Sequence, residues 1–330
     1  MEYCFGVDIG GTTIKIGLFS QKNRFLEKWE IPTKKGKDPK PVINDIAEAI
    51  EECLKRNKLK KEEVMGIGMA APGPVTEDGL LRGAVNIGWG DVLLGEEARK
   101  IIGISPVLIG NDARLAALGE YTFGAGKDEG SLLMITLGTG VGGGVVFDGK
   151  ILTGKTGTAG EIGHMTMNPF ETRSCNCGKK GCLEQYASAT GMVRVAKEFL
   201  KKSNEPSTLR RLDTITSKHL WDEAKKGDKM ALNIAEYVSR LLGIAIANAC
   251  YIVDPEMVVI GGGVSQAGQF LLDMVQGAYA ENVFPHCRDK KFALAKLRND
   301  AGIYGGVALV LQRDELVNKH KQTMKKMLNR

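Results

Sequence analysis

Two stretches of the chain share one layout, and together they decide the fold. Val7 to Phe19, "VDIGGTTIKIGLF", and Ile135 to Phe147, "ITLGTGVGGGVVF", each begin with an apolar run, pass through a glycine turn and end in a β-rich run. A strand, a glycine turn and a second strand form a β-hairpin. Since the pattern occurs twice, the sequence predicts two domains with similar cores that face each other across a cleft.

Helical and strand-like segments alternate along the rest of the chain. Pro41 to Arg56 has helical periodicity, Val64 to Ala70 is typical of a strand, and Leu183 to Lys202 is predicted to be helical. Strands that alternate with helices indicate an α/β protein. We expect a smaller N-terminal domain at residues 1–110, completed by a C-terminal helix at 303–330, and a larger domain at residues 111–302.

Length and composition restrict the class of protein. The chain has 330 residues, of which 43% are hydrophobic and 25% charged, as in globular proteins of two ordinary domains. No apolar run approaches the ~18 to 20 residues that cross a bilayer. We therefore expect a cytoplasmic protein without a membrane partner. In that reducing compartment seven cysteines predict a metal or catalytic site rather than a set of disulfides.

The net charge of +6 comes mostly from the last twelve residues. The tail from Lys319 to Arg330 contains five basic residues and no acidic one, and without it the net charge is about +1. A basic tail can contact nucleic acid, but a solvated helix end is the commoner case. We expect no nucleic-acid partner.

The glycine turns suit the binding of phosphate. Glycine allows the backbone to approach a ligand closely, so a turn such as Asp8 to Thr13 can direct successive N–H groups at phosphate oxygens, with Thr12 adding a hydroxyl. Asp8 would repel phosphate unless a cation lay between them, which predicts Mg²⁺ held through water. Thr136 takes the place of Asp8 in the second turn, so one carboxylate serves both.

Two familiar nucleotide motifs occur by chance. Residues 138–143 match G-x-G-x-x-G, but the strand-like "GVVFDGKIL" follows where a dinucleotide-binding fold needs a helix. Residues 149–156 match the Walker A pattern, but further glycines follow where its helix would begin. Neither a Rossmann site nor a P-loop is expected.

A cysteine cluster, "CNCGKKGCLE" at residues 175–184, predicts a metal site. Cys175, Cys177 and Cys182 supply three thiolates, and His164 lies eleven residues before the first of them. Three thiolates and an imidazole are the ligand set of a closed tetrahedral zinc site, which has no open position for a reacting water. We expect a structural Zn²⁺.

The pair Asn111–Asp112 stands between a short strand and the helix "ARLAALGEY". An aspartate at that junction can cap the helix, and it can also act as the carboxylate that phosphoryl transfer to an alcohol requires. The residues alone leave both interpretations open.

Five motifs then carry a resemblance to a known family. "VDIGGTTIKIGLF", "ITLGTGVGGG" and "VVIGGGVS" resemble the two phosphate loops and the adenosine loop of the sugar kinase, heat-shock protein and actin superfamily. With "EIGH" and "CNCGKKGCLE" the chain resembles the ROK family (repressors, open reading frames and kinases), most closely its bacterial glucokinases. The resemblance runs from Val7 to about Tyr304. It implies two ribonuclease H-like domains around a central cleft that holds ATP and Mg²⁺.

The resemblance also implies roles for particular residues. Asp112 becomes the catalytic base, and His164 contacts both the zinc and the sugar. The residues implied for the hexose are Gly73, Asn86, Asn111, Asp112, Glu161, His164 and Glu184. Those expected to hold the nucleotide are Asp8, Gly10, Gly11, Thr12, Thr13, Lys15, Gly138, Thr139, Gly140, Gly142, Gly261, Gly262 and Gly263.

The activity expected from this resemblance is ATP-dependent phosphorylation of glucose to glucose 6-phosphate, a step of glycolysis, by a homodimer or a tetramer. A kinase for N-acetylmannosamine, N-acetylglucosamine, mannose or fructose is the main alternative. A sugar-responsive repressor or a non-catalytic sensor is a further alternative. The first hairpin begins at residue 7, so no helix-turn-helix domain is expected before it, and both the phosphate turns and the candidate base are present.

Overall fold

The computed structural model of the chain describes residues 2–20 and 24–328. The chain divides into two compact units. The first comprises Met1–Phe123, Lys150–Ala159 and Asn299–Arg330, and the second comprises Gly124–Gly149 and Gly160–Arg298. Both units combine sheets with helices, which confirms the predicted α/β class.

The elements of the first half of the chain, in order, are β1 Tyr3–Ile9, β2 Thr13–Ser20, β3 Phe25–Pro32, α1 Lys40–Arg56, β4 Val64–Ala71, β5 Leu81–Ala84, β6 Trp89–Val92, α2 Leu94–Ile102, β7 Val107–Asn111, α3 Asp112–Phe123, β8 Ser131–Leu137, β9 Val141–Phe147 and β10 Lys150–Ile151. Those of the second half are α4 Glu184–Ala187, α5 Ala189–Lys202, α6 Ser217–Lys225, α7 Lys229–Val253, β11 Met257–Gly261, α8 Gln269–Asn282, β12 Lys291–Leu294 and α9 Ala301–Leu328.

The first unit is built on a sheet of order β3-β2-β1-β4-β7, in which β1, β2 and β3 are antiparallel neighbours and β4 and β7 run parallel to β1. Apolar side chains of β1, β2, β4 and α1 form its core, including Phe5, Ile16 and Ile46, all fully buried. Helix α1 has the predicted periodicity, since its buried positions recur every three or four residues.

Helix α9 packs very closely against this sheet and against helix α3. A Cβ atom at Gly6 would lie 2.0 Å from the carbonyl oxygen of Ile303, and one at Gly305 would lie 1.7 Å from that of Leu115. Only glycine allows backbones to approach so closely. The domain bounds expected from the sequence, 1–110 and 111–302, differ from the observed division, in which α3 joins the first unit because it packs on α9.

The second unit repeats the arrangement of the first. Strands β8 and β9 form an antiparallel hairpin, and β11 and β12 continue the sheet in parallel beside β8. The core lies between this sheet and the long helix α7, and its largest fully buried side chains are Trp221 and Tyr279. The predicted internal repeat of two glycine hairpins is therefore confirmed.

The helix expected from Leu183 to Lys202 is wrong in one respect, because two helices occupy that range. Ser188 has an extended backbone (φ −73°, ψ 163°) between α4 and α5, and its hydroxyl accepts a hydrogen bond from the N–H of Gly191. Serine favours this N-cap position because its side chain satisfies an N–H that has no partner within the helix. The break reorients the chain just beyond the cysteine cluster.

Helix α7 is long and apolar enough to cross a membrane by length and composition alone, and it is the one such helix in the part of the chain that was searched. Within its most apolar stretch of 18 residues, 61% of the window is buried inside the protein. The core helix of a soluble protein passes the same test, so the helix is weak evidence for a membrane span.

Two further segments that the sequence singled out are the basic tail and the polar segment from Lys201 to Ser217. The side chains of the basic tail, Lys319 to Arg330, lie outside the described residues. The polar segment from Lys201 to Ser217 contains a short 3₁₀ helix at Thr208–Arg211, which is fixed to the carboxylate of Asp228 by hydrogen bonds from Ser207 and Thr208. The segment therefore supports the start of α7, which Asp228 caps.

Candidate active site

The first glycine turn joins β1 to β2 in the first unit. Ile9 pairs with Ile14, and the N–H of Gly10 closes the turn by donating to the carbonyl oxygen of Thr13 at 3.0 Å. Thr33, just beyond β3, supports the turn from outside: its hydroxyl donates to the oxygen of Gly10 (2.8 Å) and its N–H to that of Thr12 (3.0 Å). The exposed side chain of Thr12 stands at the tip.

Asp8 lies at the end of β1, directly opposite Lys15 on β2. The pKa of its carboxyl group is raised to about 6, first by desolvation and then by the negative charge of Asp112, while Lys15 opposes both. Helix α9 comes close to it, because a Cβ at Gly302 would lie 2.7 Å from the Asp8 carboxylate. A desolvated carboxylate that faces a second carboxylate is stabilised by a cation, so Asp8 suits the indirect binding of Mg²⁺.

Asn111 ends β7 and organises the start of α3. Its side-chain oxygen accepts a hydrogen bond from the N–H of Arg114 (3.1 Å), so Asn111 caps the helix. Its amide nitrogen donates to the carbonyl oxygen of Gly73 (3.1 Å) and to Oδ1 of Asp112 (2.9 Å). The capping that the sequence left open for Asp112 is therefore supplied by Asn111.

Asp112 is held by a single oxygen atom. Oδ1 accepts from the N–H of Ala113 (2.7 Å) as well as from Asn111. Its side chain reaches solvent, yet desolvation by the surrounding protein raises the pKa of the carboxyl group, against the lowering effect of these hydrogen bonds and of Arg114. A carboxylate of raised pKa that is anchored at one oxygen has the properties of a general base.

Gly73 and Asn86 occupy different settings in the first unit. Gly73 has φ +132° and lies so close to the chain that a Cβ would be 2.3 Å from the oxygen of Gly83, and its own carbonyl is fixed by Asn111. Asn86 is exposed in the turn between β5 and β6. The structure thus links Gly73 directly to the Asn111–Asp112 pair and places Asn86 at a hairpin tip.

The second glycine turn, Gly138 to Gly140, joins β8 to β9. Leu137 pairs with Val141, so this turn has one residue fewer than the first. Thr136 pairs with Gly142 as Asp8 pairs with Lys15, which confirms that Thr136 occupies the position of Asp8. The third glycine segment lies beside this turn: Gly261 pairs with Thr136, and a Cβ at Gly262 (φ +81°) would be 2.5 Å from the oxygen of Leu137.

The predicted metal ligands come together in the second unit. One ligand atom from each of His164, Cys175, Cys177 and Cys182 lies within 4.8 Å of the other three. The sulfur atoms of Cys177 and Cys182 are 3.6 Å apart, and that of Cys175 is 3.9 Å from Nδ1 of His164. Ligands at tetrahedral zinc are about 3.8 Å apart for Zn–S bonds of about 2.3 Å. The cluster therefore fits a closed Cys₃His zinc site.

Three polar residues near the cysteine cluster adjoin the start of β9: Glu161, His164 and Glu184. Glu161 precedes the 3₁₀ helix Ile162–His164, whose Gly163 is so close to β9 that a Cβ would lie 2.0 Å from the oxygen of Val141. Glu184 begins α4, and its Oε2 accepts a hydrogen bond from the N–H of Val141 at 2.9 Å. Oε1 of Glu184 lies 3.7 Å from the sulfur of Cys175.

Several residues that shape this region were not predicted from the sequence. Thr33 supports the first turn, Gly302 admits the carboxylate of Asp8, and the buried Arg114 donates to the carbonyl oxygens of Val75 (3.1 Å) and Gly157 (2.9 Å). These contacts join residues far apart in the chain, so no local pattern indicates them. The glycine-rich run "GIYGG" at 302–306 was the one available signal of a close helix contact.

The comparisons with known proteins agree with these motifs. The ROK family model matches residues 4–313. A glucokinase of Halalkalibacterium halodurans is 42% identical over 323 residues, 96% of this chain and 98% of that protein. A glucokinase of Thermotoga maritima is 37% identical over 314 residues, 93% and 97% of the two chains.

A solved structure extends the likeness to three dimensions. The crystal structure of a ROK family glucokinase from Streptomyces griseus in complex with glucose and AMPPNP matches with a TM-score of 0.77 at 31% identity, over 94% of this chain and 99% of that one. The two glycine hairpins, the Asn111–Asp112 junction and the Cys₃His cluster lie within the matched family region. This chain therefore belongs to the ROK family.

Proposed function

We propose that this protein is a glucokinase that transfers the γ-phosphoryl group of ATP to the 6-hydroxyl of glucose. The observation that carries the proposal is the likeness, over 94% of the chain, to a glucokinase in complex with glucose and AMPPNP. Glucokinases at 42% and 37% identity over nearly the full length support the same activity. The repeated glycine hairpins suit a nucleotide, and the anchored carboxylate of Asp112 suits an alcohol substrate.

Asp112 is proposed as the general base. Its Oδ1 is fixed by Asn111 and Ala113, which leaves Oδ2 to accept the proton of the attacking hydroxyl. Desolvation raises its pKa, and a base works best when its pKa approaches the working pH. In phosphoryl transfer the protein contributes mainly positioning and charge stabilisation, so a rigid junction between strand and helix is a suitable place for the base.

The nucleotide is proposed to contact the glycine segments. The residues proposed for it are Gly10, Gly11, Thr12, Thr13, Lys15, Gly138, Thr139, Gly140, Gly142, Gly261, Gly262 and Gly263. Asp8 is proposed to hold Mg²⁺ through water. When bound, this ion neutralises charge on the phosphate oxygens. Lys15 lies opposite Asp8, and its ammonium group donates to the carbonyl oxygen of Asn299 at 2.6 Å, so its position is also fixed.

The sugar is proposed to bind through hydroxyl-specific contacts. The residues proposed for them are Gly73, Asn86, Asn111, Glu161, His164 and Glu184. Nδ1 of His164 faces the sulfur of Cys175, so Nε2 is the ring nitrogen available for a hydroxyl. A structural Zn²⁺ held by His164, Cys175, Cys177 and Cys182 would fix the loop that carries His164 and the start of α4.

The assembly and location remain proposals of the same kind. We propose a homodimer or tetramer that works in the cytoplasm and takes part in glycolysis, without a nucleic-acid or membrane partner. The molar mass in solution, measured by light scattering on the full chain, checks the oligomeric state directly. A monomer would contradict that part of the proposal and leave the activity untouched.

A comparison of sugars tests the proposed substrate. kcat/KM should be measured for glucose, mannose, fructose, N-acetylglucosamine and N-acetylmannosamine with ATP and Mg²⁺, and the product position identified by NMR. We expect glucose to be preferred, since a mispaired buried polar group costs about 1 to 3 kcal/mol. If another sugar of the five is preferred, glucose is the wrong substrate and the kinase assignment stands. If none is phosphorylated, the proposed function is wrong.

A further inference from the structure

Residues 184–190, at the junction of α4 and α5, hold the second glycine turn by hydrogen bonds. The N–H of Ala189 donates to the carbonyl oxygen of Gly138 (2.8 Å), and the hydroxyl of Thr190 donates to that of Thr139 (3.0 Å). The carboxylate of Glu184 accepts from the N–H of Val141, where β9 begins. Two carbonyl groups of the turn and the N–H group just after it are thus bound to residues 184–190.

The break between α4 and α5 makes these hydrogen bonds possible. Because Ser188 is extended and caps α5, Ala189 and Thr190 form the first turn of that helix. The N–H groups of a first helical turn have no carbonyl partner within the helix. Ala189 uses its N–H for the glycine turn, and the side chain of Thr190 extends the contact by one residue.

The turn is also shaped to receive the Glu184 carboxylate. A Cβ atom at Gly140 would lie 2.3 Å from Oε2 of Glu184, so a side chain at position 140 would displace the carboxylate. Glu184 follows Cys182 by two residues, and the N–H of Leu183 between them donates to the oxygen of Met165 (2.9 Å). The junction is therefore a direct continuation of the loops that carry the cysteine cluster.

These hydrogen bonds control the direction of the N–H groups in the turn. In a trans peptide the C=O of one residue and the N–H of the next point in opposite directions within one plane. When the carbonyl groups of Gly138 and Thr139 are tied to the junction, the N–H groups of Thr139 and Gly140 point away from it. Successive N–H groups that converge on one side form an anion-binding turn.

We propose that Thr190 is a positioning residue for the nucleotide, which acts by holding the second glycine turn in its phosphate-binding orientation. The inference rests on the proposed function, in which this turn contacts ATP. Thr190 acts through the carbonyl group of Thr139 and does not touch the substrate. The loss of its hydroxyl weakens the binding of the nucleotide and leaves the affinity for glucose unchanged.

The test compares Thr190→Val, which removes the hydroxyl and keeps the shape, with the wild type. The dissociation constant for AMPPNP with Mg²⁺, measured by calorimetry, should rise about 3- to 10-fold, the usual effect of losing the one hydrogen bond that reaches the turn. The hydroxyl of Thr190 also lies 3.1 Å from that of Ser188, and this contact is lost as well. The dissociation constant for glucose should stay within 2-fold. Thr190→Ser keeps the hydroxyl and should restore the affinity for AMPPNP.

A matched control separates positioning from general loss of stability. Thr208 is another exposed threonine of the second unit, and its hydroxyl donates to the carboxylates of Glu223 (2.6 Å) and Asp228 (2.8 Å), away from the turn. Thr208→Val should lower the melting temperature without changing the affinity for AMPPNP. Equal affinities for AMPPNP in Thr190→Val and the wild type would overturn the inference, and so would equal losses in Thr190→Val and Thr208→Val.

The outcomes also distinguish this inference from the proposed function. A wild-type protein that phosphorylates glucose, combined with a Thr190→Val variant of unchanged AMPPNP affinity, refutes the role of Thr190 alone. A wild-type protein that binds no AMPPNP and phosphorylates no sugar refutes the proposed function, and the inference falls with it.

Discussion

The two glycine turns share a layout but are supported by different parts of the chain. Each is closed by an internal hydrogen bond, from the N–H of Gly10 to Thr13 in the first and from the N–H of Gly138 to Gly140 in the second, and the first is supported by Thr33, just beyond β3. The second is one residue shorter and is supported by Ala189 and Thr190, about fifty residues further along. In both turns a threonine hydroxyl donates to a turn carbonyl, so the same kind of support comes from unrelated segments.

The first turn is accompanied by two aspartates, whereas the acid beside the second turn is Glu184, whose carboxylate accepts a hydrogen bond from the N–H of Val141. Asp8 has Thr136 as its counterpart in the second hairpin, and the charge of Asp112 acts on Asp8 within the first unit. Under the proposed function these two carboxylates would lie near phosphate oxygens and would require a cation, so the metal chemistry is expected to depend on the first unit. The second turn is supported by residues that follow the cysteine cluster. The difference suggests that the first unit supplies the chemistry and that the metal cluster maintains the second.

The largest effect is expected at Asp112. Asp112→Ala should lower kcat by ~10² to 10⁴ because a positioned base contributes about that factor, while the dissociation constant for glucose changes little. Steady-state kinetics and calorimetry measure the two quantities. Asp222, a partly exposed aspartate paired with Lys218 on α6, provides the matched control Asp222→Asn, which should retain full activity. Near-normal turnover by Asp112→Ala would exclude it as the base.

The pH profile sharpens the same assignment. The base must be deprotonated, and the pKa of Asp112 is raised by desolvation, so kcat/KM should fall on the acid side at a pH above the ordinary aspartate pKa of about 4. The positive charge of Arg114 lowers this pKa, and Asp8 is the other acid nearby. Arg114→Gln should therefore move the acid limb to higher pH. A limb that stays in place would contradict the electrostatic account.

The second-largest effect is expected at Asp8, whose counterpart in the second hairpin is Thr136. Asp8→Asn should raise the Mg²⁺ concentration for half-maximal activity by about 10- to 100-fold, as expected for a residue that holds a metal through water. Thr136→Val, the corresponding change in the second hairpin, should leave it unchanged. The measurement is a Mg²⁺ titration of the initial rate at saturating glucose. Similar shifts in both variants would mean that the two turns share the metal equally.

The third effect concerns the cysteine cluster. The purified protein should contain about one zinc per chain, and Cys177→Ser should lower the melting temperature and weaken glucose binding by about 10-fold, because the ligands carry the loop of His164. Elemental analysis, thermal unfolding and calorimetry check these points. Cys287, partly buried and outside the cluster, gives the control Cys287→Ser. Zinc-free protein with wild-type glucose affinity would contradict the structural role.

The smallest effect is expected at Thr33. Thr33→Val should raise the dissociation constant for AMPPNP by only about 2- to 5-fold, since the first turn keeps its Gly10–Thr13 bond and the N–H of Thr33 still reaches Thr12. Thr33→Ser should restore the affinity. An effect larger than that of Thr190→Val would show that the first turn depends more on outside support than the second.

Much of the fold could be predicted from the sequence because the patterns that indicate it are local. The two hairpins, helix α1 and the α/β class follow from apolar runs, glycine turns and a helical period, all of which act over fewer than twenty residues. The Cys₃His cluster was predictable for the same reason, since its three thiolates and one imidazole lie within residues 164–182. Ligand chemistry and short spacing are properties that the sequence expresses directly.

Other features were decided only by tertiary structure. The sequence could not tell whether Asp112 caps α3, because the capping oxygen comes from the preceding Asn111 once β7 and α3 are in place. The break at Ser188 was hidden because helical propensity continues across it. The support of each glycine turn by Thr33 or Thr190, and the contact of Gly302 with Asp8, join residues from 20 to about 300 positions apart. Such contacts depend on how whole elements pack, which no local pattern records.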